Sequence, residues 1–193
     1  ETINKEVNMK TAIIAIGTGA SNITESVIFD RFGFDLSYFQ IDRTMLINKE
    51  EISIDSIVKQ IRKNDQKIIL FSTLGGICNT YISQVTEVLM KNKLKYDAIV
   101  TIPFLWEGEQ KRTLALNCLN NIVESCNSIS IFNNENLLNY NPEATVMETY
   151  NWMDEQIVKL IELILGNKLE ESSQSNTDFP LILIHNLNGM KFI

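Results

Sequence analysis

The sequence predicts an α/β domain of three layers, doubly wound around a mostly parallel sheet. Three observations predict it. Short, nearly all-apolar runs alternate with segments of helical periodicity, the pattern of strands buried on both faces between helices. The first and third of these runs end in glycine pairs, Gly17 and Gly19 and then Gly75 and Gly76. A single long amphipathic segment follows the last of the runs. Strands wired in this way form a parallel sheet that binds ligands at its carboxyl edge.

Each element follows from its residues. Residues 10–16 (KTAIIAI) read as a buried strand, and residues 22–31 as a helix after the Gly17-Thr18-Gly19 turn. Residues 35–41 form a second strand and 54–62 a helix. Residues 67–72 (KIILFS) form a third buried strand, which runs into Gly75-Gly76 and a helix over 80–92 carrying Ile82, Val85, Val88 and Leu89 on one face. Residues 97–102 are a fourth strand closed by Pro103, 108–126 a helix and 128–132 a fifth strand. Over 145–165, Val146, Tyr150, Met153, Ile157, Leu160, Ile161 and Ile164 recur at helical spacing. That helix is roughly 30 Å long at 1.5 Å per residue. Residues 167–178 are polar and serine-rich, and 181–184 begin another apolar element.

Composition narrows the function. The chain has 193 residues, enough for one well-buried α/β domain, with 45% hydrophobic and 21% charged residues. A net charge of −7 disfavours a nucleic-acid surface. A phosphate pocket needs no overall positive charge, because backbone N–H groups at a helix start hold anions. Cys78, Cys118 and Cys126 show no disulfide spacing and read as reduced thiols of a cytoplasmic protein. No apolar run is long enough to span a bilayer, and the polar lead-in of residues 1–9 is no signal peptide. The single histidine, His185, lacks partners for a triad or a metal, and the methionines on helical faces read as core.

Three loops carry the chemistry. The stretch Gly17-Thr18-Gly19-Ala20-Ser21-Asn22 offers glycines that tolerate φ > 0, then a helix start with free N–H donors and a positive dipole end. The same loop with Asp42 ending the second strand also fits a nicotinamide-dinucleotide enzyme. The stretch Leu74-Gly75-Gly76-Ile77-Cys78-Asn79-Thr80 is a second glycine loop, and two such loops could grip a polyphosphate from two sides. A dinucleotide fold does not require the second loop, which favours a mononucleotide. In Pro103-Phe104-Leu105-Trp106-Glu107-Gly108, Glu107 could accept from ribose hydroxyls, or could serve only as a helix N-terminal acid.

The order of these features resembles FtsZ and, more distantly, tubulin. The stretches VTIPFLWEGEQKR and SISIFNNENLL are similar to that family's VVTKPFxFEGxxR and xxLIxIPNDKLL, and the resemblance covers about residues 10–179. It implies a Rossmann-like nucleotide-binding domain over residues 10–166, including the long core helix 145–165. Residues 167–193 would be a loop and the start of a following element, with the family's second domain absent. It implies GTP or GDP as ligand, with magnesium accompanying GTP, and self-association or association with another FtsZ/tubulin-like subunit in a cell-division or cytoskeletal filament. Gly17 to Asn22 resemble the first phosphate loop. Gly75, Gly76, Cys78, Asn79 and Thr80 fall on the GGGTGTG signature, although Ile77 and Cys78 stand where Thr and Gly are usual. Glu107 matches the ribose acid, Lys111 the spacing of an Arg, and Asn134 the guanine-contacting Asn. Tyr150 and Asp154, one helical turn apart, match the aromatic that stacks on the base and the residue that reads its edge.

In the same family a loop reading NxDxxD, after the long helix, completes hydrolysis in the next subunit. Asn176 and Asp178 match its first two polar positions, so the resemblance gives them a catalytic role in trans. Leu181 occupies the place of the second Asp and cannot polarise water. With Ile77, which has no hydroxyl for a γ-phosphate, this implies weak or absent hydrolysis. A scaffold of the same fold that binds no nucleotide is the alternative, and a nicotinamide enzyme using Gly17, Gly19 and Asp42 is the second.

Overall fold

A computed structural model describes residues 10–31, 36–63, 67–140, 143–164 and 181–185. Its strands are β1 (Thr11–Ile16), β2 (Leu36–Ile41), β3 (Lys67–Thr73), β4 (Asp97–Ile102), β5 (Ser128–Asn133) and β6 (Leu181–His185). Its helices are α1 (Thr18–Arg31), α2 (Arg43–Ile47), α3 (Ile54–Lys63), α4 (Thr80–Lys91), α5 (Glu109–Val123), α6 (Asn134–Tyr140) and α7 (Val146–Ile164). Turns of 3₁₀ type at Ile77–Asn79 and Leu105–Glu107 lead into α4 and α5.

The six strands form one sheet in the order β2-β1-β3-β4-β5-β6. Strands β1 to β5 are parallel, and β6 runs antiparallel to β5, with Leu181 opposite Phe132. The sheet is thus mostly parallel, as its unbroken apolar strands predict. Residues 181–185, read from sequence as the start of a following element, pair on this sheet's edge.

Successive residues of β1, β3 and β4 enter different cores. Ile14, Leu70 and Val100 pack with Ile61, Ile82, Val85 and Ile122 from α3, α4 and α5. Ile13, Ile69 and Ile99 point the other way, onto Ile23 of α1 and Met153, Ile157 and Ile161 of α7. All six residues of β1 are buried. Burying such side chains is worth about 1.5–3 kcal/mol each, which is why the runs are apolar on both faces. Met153 is core as expected, but Met90 and Met147 are exposed. All three cysteines are free thiols.

Several boundaries differ from the sequence reading. Helix α1 begins at Thr18, not residue 22, because Gly17 alone makes the turn at φ +105°. The short helices α2 and α6 were not predicted. Their stretches carry too few periodic apolar residues to signal a helix. Helix α7 starts at a reciprocal cap: Glu148 N–H donates to Thr145 Oγ1 at 3.3 Å, and Thr145 N–H to Glu148 Oε2 at 2.8 Å. No helix among the described residues is long and apolar enough to cross a membrane.

The chain reverses its direction of winding between β1 and β3, which lie side by side while β2 lies beyond β1. Loops that leave neighbouring strands toward opposite faces part there and open a crevice. Sheet-like hydrogen bonds run one residue past the strands and fix these loops: Gly17 N–H donates to Ile41 O at 2.8 Å, and Leu74 N–H to Thr101 O at 3.0 Å.

Candidate functional site

At this crevice lies a cleft of about 590 Å³, within the range of small-molecule sites. Its first wall is Gly17, Thr18, Gly19 and Asn22. A Cβ on Gly17 would lie 2.7 Å from Thr73 Oγ1, so positive φ and close approach both demand glycine there. Helix geometry leaves the N–H groups of its first turn, from Thr18 onward, without intrahelical acceptors. Those donors and the dipole end of a 14-residue helix meet the cleft.

The second wall runs from Thr73 to Cys78. Asn79 holds it from beneath and is itself 1% exposed. Its Oδ1 accepts from Gly76 N–H at 3.0 Å and also from Gly75 N–H, while its Nδ2 donates to Ser72 Oγ and Thr73 O, each at 3.4 Å. Gly75 and Gly76 line the cleft, yet their N–H groups are spent on Asn79. Gly75 has φ +92°, and a Cβ there would meet Lys111 O at 3.1 Å. Cys78 is buried, and burial pushes its thiol pKa up. Asp42 adds to the rise, and the Arg43 charge opposes it.

The third wall comes from the end of β4. Glu107 Oε1 accepts from Phe104 N–H at 2.9 Å, and its Oε2 accepts from Lys111 Nζ at 3.2 Å. Each carboxylate oxygen keeps a lone pair for a further donor. Phe104 is fully buried, stacks on Trp106 with centroids 4.8 Å apart, and meets Tyr150 edge to face at 5.6 Å.

Asn134, Tyr150, Met153 and Asp154 also line the cleft. Asn134 begins α6 directly after β5, and its Oδ1 is buried with no hydrogen-bond partner. Burial raises the Asp154 carboxyl to about 6. Burial likewise raises the Tyr150 hydroxyl, helped by the charges of Glu107 and Asp154. One cleft therefore combines a donor-rich helix start with an aromatic ring, an unsatisfied amide and a desolvated carboxyl.

The structure brings most of the sequence-predicted residues together. Gly17, Thr18, Gly19, Asn22, Gly75, Gly76, Cys78, Glu107, Lys111, Asn134, Tyr150 and Asp154 all line the cleft. Ala20, Ser21, Asn79 and Thr80 do not, and Ala20, Ser21 and Asn79 are buried. Asn176 and Asp178 lie outside the described residues. Asp42 is the N-cap of α2, its Oδ1 accepting from Met45 N–H at 3.0 Å, and it does not line the cleft. That cap accounts for the acid that a ribose role had suggested for it. Sequence reasoning missed Arg43, Thr73 and Thr101 among the lining residues. A basic residue one position after a strand-ending cap was the only available signal for Arg43.

The fold and cleft define a class: a doubly wound α/β domain with a mononucleotide-sized crevice at its switch point. No protein-family model matches the chain. Over 132 residues it is 31% identical to the cell division protein FtsZ of Helicobacter pylori, an alignment covering 67% of this chain and 34% of that protein. FtsZ from a second strain of that species is 30% identical over the same length. The chain thus spans about a third of the curated relatives it matches. Among solved structures, an empty FtsZ dimer of M. jannaschii superposes with TM-score 0.71 at 17% identity, covering 90% of this chain and 60% of that one. CetZ2 from Haloferax volcanii, a GTPγS-bound protofilament, superposes with TM-score 0.63 at 14% identity over 85% and 61%. CetZ1 from the same organism, a GDP-bound monomer, gives 0.59 at 14% over 84% and 62%. The chain is a divergent tubulin/FtsZ-like domain.

Proposed function

We propose that this domain binds a guanine nucleotide in the cleft at the carboxyl edge of its sheet. The observation that carries the reading is the pairing of two kinds of group in one cleft: the helix start of α1, and the side chains of Asn134, Tyr150 and Asp154. The phosphates rest on the first turn of α1, whose N-terminal dipole end favours anions, with the second glycine loop beside them. The ribose hydroxyls donate to Glu107. Tyr150 stacks on the base. The Asp154 carboxylate accepts from N1–H and the exocyclic amine, two donors that guanine presents side by side and adenine does not. Asn134 supplies amide capacity that the fold leaves unused. Magnesium brought by a triphosphate would be held by phosphate oxygens and water, because the carboxylates Glu107 and Asp154 serve the ribose and base.

Residues 10–166 form this nucleotide-binding unit in our reading, and turnover in it is weak. Ile77, 61% exposed on the cleft wall, has no hydroxyl to offer a γ-phosphate. Leu181 brings no carboxylate, whereas Asn176 and Asp178 keep polar groups that a neighbouring subunit could use. The solved relatives include an FtsZ dimer and a CetZ protofilament, and here exposed Ile77, Leu105 and Trp106 flank the cleft. Together these favour association with a second copy, or with another FtsZ/tubulin-like subunit, across the nucleotide face, in a cytoplasmic cell-division role.

Calorimetric titration with GDP tests the base assignment. Tyr150→Ala should weaken GDP binding by about 1–3 kcal/mol, the scale of one lost base–aromatic stack. Equal affinity in the variant and the parent would remove Tyr150 from the base pocket.

A further inference from the structure

Arg43 is a lining residue to which the nucleotide reading gives no role. Three observations fix its place. It lies two residues after Ile41, whose carbonyl accepts from Gly17 N–H at 2.8 Å, so its backbone stands beside the first glycine loop. Helix α2, which it begins, packs against the 3₁₀ turn of the second glycine loop. Its charge reaches the Cys78 thiol in that turn. Arg43 therefore stands where the two glycine loops meet and lines the cleft there.

The local charge balance is unusual. The other lining cation, Lys111, is held by Glu107 at 3.2 Å. Among the described residues no carboxylate lies within ion-pair distance of Arg43. Its neighbour Asp42 is spent on the α2 cap. The second loop has its Gly75 and Gly76 donors occupied by Asn79, and Ile77 offers no polar group. From Leu74 to Asn79 that loop has no side-chain hydroxyl to offer a third phosphate, and two of its backbone donors are already occupied. A guanidinium is always charged and carries five donors in a fork that matches phosphate oxygens.

We propose that Arg43 is the specificity-determining residue for phosphate number: its guanidinium binds the terminal phosphate of a nucleoside triphosphate and makes the cleft favour triphosphate over diphosphate. The inference rests on the nucleotide reading of the cleft. It gives that reading a triphosphate sensor built from the α2 start, in place of the hydroxyl that Ile77 lacks. An exposed residue at the start of a five-residue helix can be changed at little cost to the fold.

The test compares GDP with the slowly hydrolysed analogue GTPγS by calorimetry, on the full chain and on Arg43→Ala and Arg43→Lys. Charge-assisted phosphate contacts are worth about 10- to 100-fold in affinity. Arg43→Ala should weaken GTPγS by that factor and GDP by less than about threefold, the same contacts being absent for GDP. Arg43→Lys, which keeps the charge and loses the fork, should fall between the parent and Arg43→Ala. Equal losses for both nucleotides, or no loss for either, would overturn the assignment of Arg43 while leaving the cleft a nucleotide site. A parent chain that binds neither nucleotide would overturn the nucleotide reading, and this inference with it.

Discussion

Asn79 Oδ1 accepts the backbone N–H of Gly76 at 3.0 Å, and that contact sets the shape of the second glycine loop. The same oxygen accepts from Gly75, and the amide nitrogen reaches back to Ser72 and Thr73 at the end of β3. One buried side chain thus does for this loop what a helix start does for the first. Asn79→Ala should leave the buried Gly75 N–H, and the exposed Gly76 N–H beside it, without their acceptor. Each unsatisfied buried donor costs about 1–3 kcal/mol, so the variant should lose several degrees in Tm. A melting temperature equal to the parent's would show that the loop holds its form without Asn79.

The pKa of Asp154 links nucleotide binding to pH. Burial raises its carboxyl to about 6, above the usual value near 3.9. Guanine donors require the carboxylate, so GDP affinity should be flat above pH 7. It should fall by up to about tenfold per pH unit below 6, because the proton must first leave. Asp154→Asn should remove that dependence and weaken binding at pH 7.5. The free protein should behave in the opposite way. Its folded state holds the proton more tightly than the unfolded chain, so this group's contribution to stability rises as pH is lowered from 7 toward 4. Affinity independent of pH between 5 and 7 would exclude Asp154 from the base edge.

Leu181 bears on turnover. Groups aimed at developing charge commonly supply about 3 kcal/mol each, a hundredfold or more in rate. The chain lacks two of them, at Ile77 and Leu181, so phosphate release from GTP with magnesium should stay near background even at high protein concentration. Leu181→Asp should raise it if the second carboxylate is the missing group. The strand pairing of Leu181 with Phe132 sets a structural condition on that result, since the residue starts β6. Robust, concentration-dependent turnover by the unmodified chain would contradict the proposal.

The fold was legible where burial acts on both faces of a strand. Residues 11–16 and 67–72 read as core because they are apolar almost throughout, but their registers, such as Ile16 opposite both Ile41 and Ser72, were not legible, since strands apolar on both faces carry no alternation to fix them. The helix with Tyr150 and Asp154 was legible because its apolar residues recur at helical spacing over five turns. Local hydrogen bonding was not. That Gly17 alone turns the chain depends on Thr73, 56 residues away, whose Oγ1 a Cβ would strike. That Asn79 serves the loop rather than the cleft depends on which side of the turn its side chain lies. Asp42 looked like a ribose acid because a cap and a ligand contact use the same residue type at a strand end. Arg43 carried no motif, and only the packing of α2 against the second loop brought it to the cleft.

Displacement of a fluorescent GDP derivative by unlabelled nucleotides tests the central claim most directly. Unlabelled GDP should displace the probe at pH 7.5, and ADP and NAD should need at least about tenfold more, since adenine lacks the paired donors that Asp154 reads and a lost charge-assisted pair costs that much. Displacement by ADP or NAD as readily as by GDP, or no saturable binding of the probe, would contradict a guanine-nucleotide site in this cleft.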